Sequence, residues 1–236
     1  MQALAQQMLC SALRVCPLPI VCGLGMARLM SGVPENPSTP RRRLSPEARK
    51  AQLMDMAVEV FAEMGLERAG HGDIAKRAGV STPTVFNYFP TRDALVEAVL
   101  DRIQSHSDEM FDQLPRSNGN RRDRIVQLAT SFQNMVVERP NETKALLKWG
   151  VSFDPDLRPA YLRFQRRMLD RLVEELPNNP PDREQARAEA RILFGASNLF
   201  AAMAFDNFRA EAMMSFVDRI ADVLGSPQET QKGTGE

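Results

Sequence analysis

"VSTPTVFNYFPTRDAL", residues 80–95, decides the reading of this chain. Thr84, Asn87 and Tyr88 stand among bulky apolar neighbours, in a segment too short to form a core of its own. Thr82 and Pro83 read as an N-cap and a first helical residue, because the first turn has no use for the missing N–H. The helix that follows is expected from about Pro83 to Tyr88; Pro90 ends it and Thr91 caps the next. Val85, Phe86 and Phe89 supply a packed face. Thr84, Asn87 and Tyr88, with Ser81 and Thr82 at the mouth, supply a hydrogen-bonding face.

What precedes this segment gives it a purpose. "RRRLSPEARK", residues 41–50, carries Ser45 and Pro46, a helix start. Leu53, Met56, Ala57, Val60, Phe61 and Met64 then recur at three and four, one apolar helical face, and Gly65 ends it. "GDIAKRA", residues 72–78, turns Ile74, Ala75 and Ala78 inward and Lys76 and Arg77 outward, and Gly79 stops it. Two short helices joined by a Gly-containing turn form a helix-turn-helix. Its second helix enters the major groove by its N-terminal end while a neighbour packs the other face. Asn pairs with the adenine edge, and Tyr and Thr hydroxyls reach phosphate. Arg92 opposes the dipole of the helix it opens, which points to an anion nearby. Arg41, Arg42 and Arg43 form a basic arm suited to the adjacent minor groove; the competing reading is a solubilising linker end. Residues 41–100 hold nine Lys/Arg against eight Asp/Glu, so a solvated surface also accounts for Lys76, Arg77 and Arg92.

Over all 236 residues Lys plus Arg equals Asp plus Glu, 30 against 30, so net charge points to no nucleic-acid or membrane partner. No apolar run is long enough to span a bilayer. Residues 1–40 hold all three cysteines, Cys10, Cys16 and Cys22, and end in a proline-rich linker. A secretory signal lacks its basic cluster here, and Pro17 and Pro19 interrupt the apolar stretch. The cysteine spacing is not that of a zinc ribbon or finger, and no His is near. The segment reads as a disordered tail or an early start codon, with Met26 or Met30 as alternative first residues. A reducing cytoplasm fits a body without cysteine.

The rest reads as helices. Residues 122–138 place Ile125, Leu128, Ala129, Phe132, Met135 and Val136 on one face, and a short helix is expected over 143–149. Tyr161, Phe164, Met168, Leu172 and Leu176 form the next stripe, "PNNPP" a loop, and Asp182 with Gln185 a capping box. The last two helices are apolar on more than one face, with small residues that permit close approach. Gly195, Ala196, Leu199, Phe200, Met203, Met213, Phe216, Val217 and Ile220 are therefore expected at a homodimer interface, half of a four-helix bundle completed by a second copy. Core packing within one chain is the alternative. Phe111, Phe132, Trp149, Phe153, Tyr161, Phe164, Met168 and Phe194 converge as the lining of a cavity, with Gln165 its polar group; such walls suit an apolar small-molecule ligand, and plain core is the alternative.

An enzyme fits poorly. His71 and His106 are the two histidines; no nucleophile–His–carboxylate order, metal spacing or glycine-rich phosphate loop links them to anything. No cofactor is expected. A helical adaptor that binds proteins and not DNA would leave Thr84, Asn87 and Arg92 without a purpose.

"DIAKRAGVSTPTVFNYFPTRDALVEAVL", residues 73–100, resembles the DNA-binding domain of the tetracycline-repressor (TetR) family. Within it the segment is most similar to the quorum-sensing master regulators of vibrios, of the LuxR/HapR type. The likeness runs from about Arg43 to Leu100, and His71, where most of the wider family has Thr or Ser, fits that subgroup. Farther on it is weak, around "LLKWGVSFDPDLRPAYLRF". The resemblance implies an all-α fold, a helix-turn-helix domain followed by a helical dimerisation and ligand domain, with Asn87 and Tyr88 on the recognition helix and the arm in the minor groove. It implies a homodimer on double-stranded, pseudo-palindromic DNA, either a quorum-sensing-type master regulator or a ligand-responsive local repressor of an efflux or metabolic operon. The expected layout is a tail over 1–40, the DNA-binding domain over 41–90, the C-terminal domain over 91–225 and a second tail over 226–236.

Overall fold

The computed structural model describes residues 44–115 and 119–225. Among these the regular structure is all helical: α1 (Pro46–Met64), α2 (His71–Ala78), α3 (Thr82–Tyr88), α4 (Arg92–Asp112), α5 (Arg121–Glu138), α6 (Pro140–Gly150), α7 (Arg158–Glu175), α8 (Arg183–Phe205) and α9 (Ala210–Gly225). The chain divides into two units, residues 1–49 and 50–236. Of the first, the described part is the opening turn of α1. There the Ser45 hydroxyl accepts from the Ala48 N–H at 3.1 Å, the cap expected of a serine before a proline. The expected tails and the arm at Arg41, Arg42 and Arg43 lie outside the described residues.

In the second unit the apolar spacing of α1 becomes its buried face. Leu53, Ala57 and Phe61 are fully buried and Val60 nearly so. Met64, expected inward, is exposed, because it ends the helix where Gly65, at φ +84°, turns the chain away. Gly79 leaves α2 at φ +65°, a conformation that costs a residue with a Cβ. The turn lets the Val80 N–H reach back to the Ala75 carbonyl at 3.0 Å. The cap of α3 is Ser81, one residue before the expected Thr82. The Ser81 and Thr84 hydroxyls bond to each other at 2.8 Å.

The remaining helices close a second layer. α9 packs on α5 and α8, α7 on α8, and α6 on α5 and α4. Helix α6 begins at Pro140, three residues before the expected Thr143, since proline is at ease in a first turn. Most of the buried apolar side chains form one contiguous cluster, from Leu53 to Ala221. Each large one contributes roughly 1.5–3 kcal/mol. Arg121, at the start of α5, is itself buried. Its guanidinium donates to the Leu224 and Pro177 carbonyls, each at 2.9 Å, and to Glu189 Oε2 at 2.5 Å. One side chain thus ties the ends of α5, α7 and α9 to α8. Among the described residues no helix is long and apolar enough to cross a membrane.

Candidate nucleic-acid interface and apolar cavity

The short helix α3 is held from one side. Val85, and Phe89 just past its end, are buried as part of the common core. Ser81, Thr82 and Asn87 are exposed, and Thr84 and Tyr88 are half-buried. The expected hydrogen-bonding face therefore exists as a surface. Two expectations need correction. Phe86, read as part of the packed face, is 45% exposed. Its ring lies flat on the His71 imidazole, with centroids 3.9 Å apart and planes within 6°. Arg92, read as facing an anion, turns its guanidinium back to the Leu66 and Glu67 carbonyls at 2.5 and 2.7 Å. Those carbonyls follow α1 in the chain, and they answer the charge that the dipole of α4 does not welcome.

Cation placement on α2 divides the same way. Arg77 is neutralised by Glu59 and Glu63 on α1, at 3.2 and 2.5 Å. Glu63 is exposed, and its bond from Arg77 draws its carboxyl below the usual carboxylate range. Lys76 remains an exposed cation on the helix in front of α3. His71 is buried, and its Nε2–H donates to the Phe89 carbonyl at 2.7 Å, fastening the start of α2 to the end of α3.

A cavity of about 110 Å³ lies between α4, α5, α6, α7, α8 and α9. Phe111, Phe132, Phe164, Met168 and Phe194 line it, as expected, together with Met110, Ile125, Leu128, Leu172 and Leu193. Trp149, Phe153, Tyr161 and Gln165 do not line it. Trp149 and Tyr161 pack edge to face at 5.4 Å behind Phe164, with the indole N–H donating to the Leu157 carbonyl at 3.3 Å. Burial there pushes the Tyr161 phenol above its ordinary pKa. Phe153 is 80% exposed under the Arg158 guanidinium, 5.0 Å away, because it falls in the loop after α6. Gln165 is half-buried, one helical step off the Phe164–Met168 stripe. Three polar side chains reach the wall. The Ser107 and Ser197 hydroxyls donate at 2.8 Å to carbonyls of their own helices. Asn198 is the amide of the lining, at a position that apolar periodicity does not flag.

The residues expected at a dimer face divide between two sides of α8 and α9. Ala196, Phe200, Phe216, Val217 and Ile220 line the cavity. Gly195 and Leu199 are exposed, with Ile192 beside them, while Met203 and Met213 are half-buried. A Cβ added at Gly195 would meet nothing within 4 Å.

Of the two histidines, His106 donates from Nδ1 to Glu142 Oε2 at 2.5 Å, and Arg102 Nε donates to Glu142 Oε1 at 2.8 Å. Burial works against the Arg102 cation, but Asp55 and Glu142 outweigh it and hold its pKa above the ordinary value. Among the described residues no three His, Cys, Asp or Glu side chains form a metal-binding group.

Residues 53–99 match the bacterial regulatory proteins of the tetR family. The chain is 37% identical over 127 residues to the HTH-type transcriptional regulator LuxR of Vibrio harveyi, across 54% of this chain and 62% of that protein. It is 31% identical over 147 residues to the HTH-type transcriptional regulator BetI of Escherichia coli strain K12, across 59% of this chain and 73% of the relative. Its fold is similar to that of a TetR-like transcriptional regulator from Rhodococcus sp. RHA1, at TM-score 0.63 and 19% identity, over 78% of this chain and 100% of the other. It is also similar to the regulator FadR from Bacillus subtilis, solved in complex with stearoyl-CoA, at TM-score 0.60 and 17% identity, over 75% of this chain and 97% of that one.

Proposed function

This chain belongs to the tetR family of bacterial regulatory proteins, and from that premise we propose that it is a cytoplasmic, homodimeric transcriptional regulator of pseudo-palindromic DNA, not an enzyme. The observation that carries the reading is α3: a helix held by the buried Val85 and by Phe89 at its end, while Thr82 and Asn87 project to solvent. Asn87 reads an adenine edge, and Ser81, Thr82, Thr84 and Tyr88 contact the backbone or neighbouring bases. Arg92 acts by bracing α4 to the carbonyls after α1. The arm Arg41–Arg43 follows the adjacent minor groove.

The second copy joins through the outer sides of α8 and α9. Glycine inside a helix costs about 1 kcal/mol against alanine. Nothing within the protomer asks for it at Gly195, where a Cβ meets only open space, and a helix of a second copy gives it a use. Two recognition helices then meet major grooves about 34 Å apart, or a multiple.

The cavity supports a small, uncharged, apolar effector, since no charged side chain lines it. A cavity near 150 Å³ holds a molecule such as benzene, so a longer effector requires the Met and Phe side chains to move. An effector that binds one separation of the two DNA-binding units better than another shifts that population. The finer reading, a quorum-sensing-type master regulator, is supported by the 37% identity to the LuxR regulator over 127 residues.

Selection of random duplexes with the full-length protein tests the function. The expected result is a two-part motif with half-sites one helical repeat apart or a multiple, and many genomic occurrences for a master regulator. A single occurrence beside its own gene selects the local-repressor reading, and no enrichment over input overturns DNA binding.

A further inference from the structure

Successive residues of an α-helix lie about 100° apart around its axis. On α3 the buried Val85 marks the inward direction, and Phe89, the residue that caps its end, is buried too. Asn87 then lies roughly opposite, and Phe86 stands between the two, at one flank of the exposed face. Phe86 there leaves a large apolar ring 45% exposed, next to the hydrogen-bonding face.

The ring is not loose. Its one face rests on the His71 imidazole at 3.9 Å, with planes 6° apart. The imidazole is buried and anchored by its bond to the Phe89 carbonyl at 2.7 Å. His71 thus grips the end of α3 with one atom and backs a side chain of α3 with its ring plane. The outcome is a rigid apolar surface beside Asn87. A side chain already fixed in its bound geometry loses little rotamer freedom on association. It has no donor or acceptor to offer a phosphate.

We propose that Phe86, backed by His71, is a specificity-determining residue that reads the C5-methyl group of a thymine next to the base pair read by Asn87. The proposal rests on the DNA-binding reading above. In the major groove only thymine presents a methyl group, and an aromatic ring is among the side chains that contact it. Burial of ring and methyl against each other supplies the discrimination. His71 is a positioning residue, since it touches the ring and not the base.

The experiment uses the full chain and its selected duplex, with each thymine of one half-site replaced in turn by uracil. Uracil keeps the pairing edge and lacks the methyl. Wild type is expected to lose about fourfold in affinity at one position and nothing at the others, the worth of one buried methyl. Phe86→Ala is expected to bind the thymine and uracil duplexes equally, and His71→Ala to show a reduced ratio, while Asn87→Ala keeps the full ratio on a weaker complex. Equal wild-type affinity for every uracil duplex overturns the proposal, whether or not the variants fold. So does a Phe86→Ala protein that keeps the wild-type ratio. A wild type that enriches no duplex at all removes the DNA-binding reading itself, and this inference with it.

Discussion

Arg102 on α4 and Glu142 on α6 are joined at 2.8 Å, Nε to Oε1, with the carboxylate buried. The same guanidinium extends from Nη1 to Asp55 on α1 at 2.6 Å. Lys148 of α6 also donates to the Glu63 carbonyl near the end of α1, at 2.6 Å. Helix α6 is therefore tied to α1, the helix that packs beside the recognition pair, by charged contacts of unequal burial. Glu142→Ala leaves Arg102 and His106 without their shared acceptor and is expected to cost about 1.5–3 kcal/mol. Asp55→Ala removes a contact whose carboxylate is 55% exposed, and is expected to cost less than about 1 kcal/mol. Urea denaturation of the three proteins checks the order.

Asn87→Ala is expected to cost about 1–3 kcal/mol on the selected site and to relax preference at one position in each half-site. Repeating the selection with the variant reads this directly. An unchanged motif assigns adenine recognition elsewhere.

Replacing Arg41, Arg42 and Arg43 by Ala is expected to flatten the plot of log affinity against log salt, by about one unit for each phosphate that the arm neutralises in the wild type. If the arm reads a narrow A·T minor groove, preference in the flanking A-tracts disappears with it. An identical slope makes the arm a linker end.

Leu199 is 52% exposed on the outer side of α8, so Leu199→Arg places no charge in the protomer core. Across a twofold contact it buries two unpaired charges, each costing several kcal/mol. Sedimentation at micromolar concentration is expected to show a wild-type dimer and a variant monomer. Operator affinity falls when the dimer comes apart, because the second half-site is no longer held at high effective concentration.

Ala196 tests the other side of the same helix. It faces the cavity, so Ala196→Leu fills space there and leaves the outer side of α8 untouched. Xenon under pressure is expected to raise the thermal midpoint of wild type and to leave the variant unmoved, while both sediment alike. An equal shift in the two proteins places the xenon outside the cavity.

The helices are legible in the sequence because their signals are local. Ser45, Gly79, Thr91 and Asp182 act within one turn of themselves, and the spacing of Leu53, Ala57, Val60 and Phe61 needs no knowledge of what covers it. The resemblance to the TetR family rests on a similarly local run, the contiguous residues from α2 into α4.

What periodicity does not carry is the identity of the neighbour. A helix with two apolar sides, such as α8, reads the same whether Phe200 faces a cavity and Leu199 a partner, or the reverse. Arg92 looks like an anion ligand until the Leu66 and Glu67 carbonyls, some 25 residues back, are seen to take its guanidinium. Trp149 and Tyr161 belong by composition to any aromatic lining, yet they pack against each other behind Phe164. Short-range sterics and hydrogen bonding write the helices and their ends into neighbouring residues. Which side of a helix is wall, core or surface depends on contacts between residues far apart in the chain, and those exist only once the helices have packed.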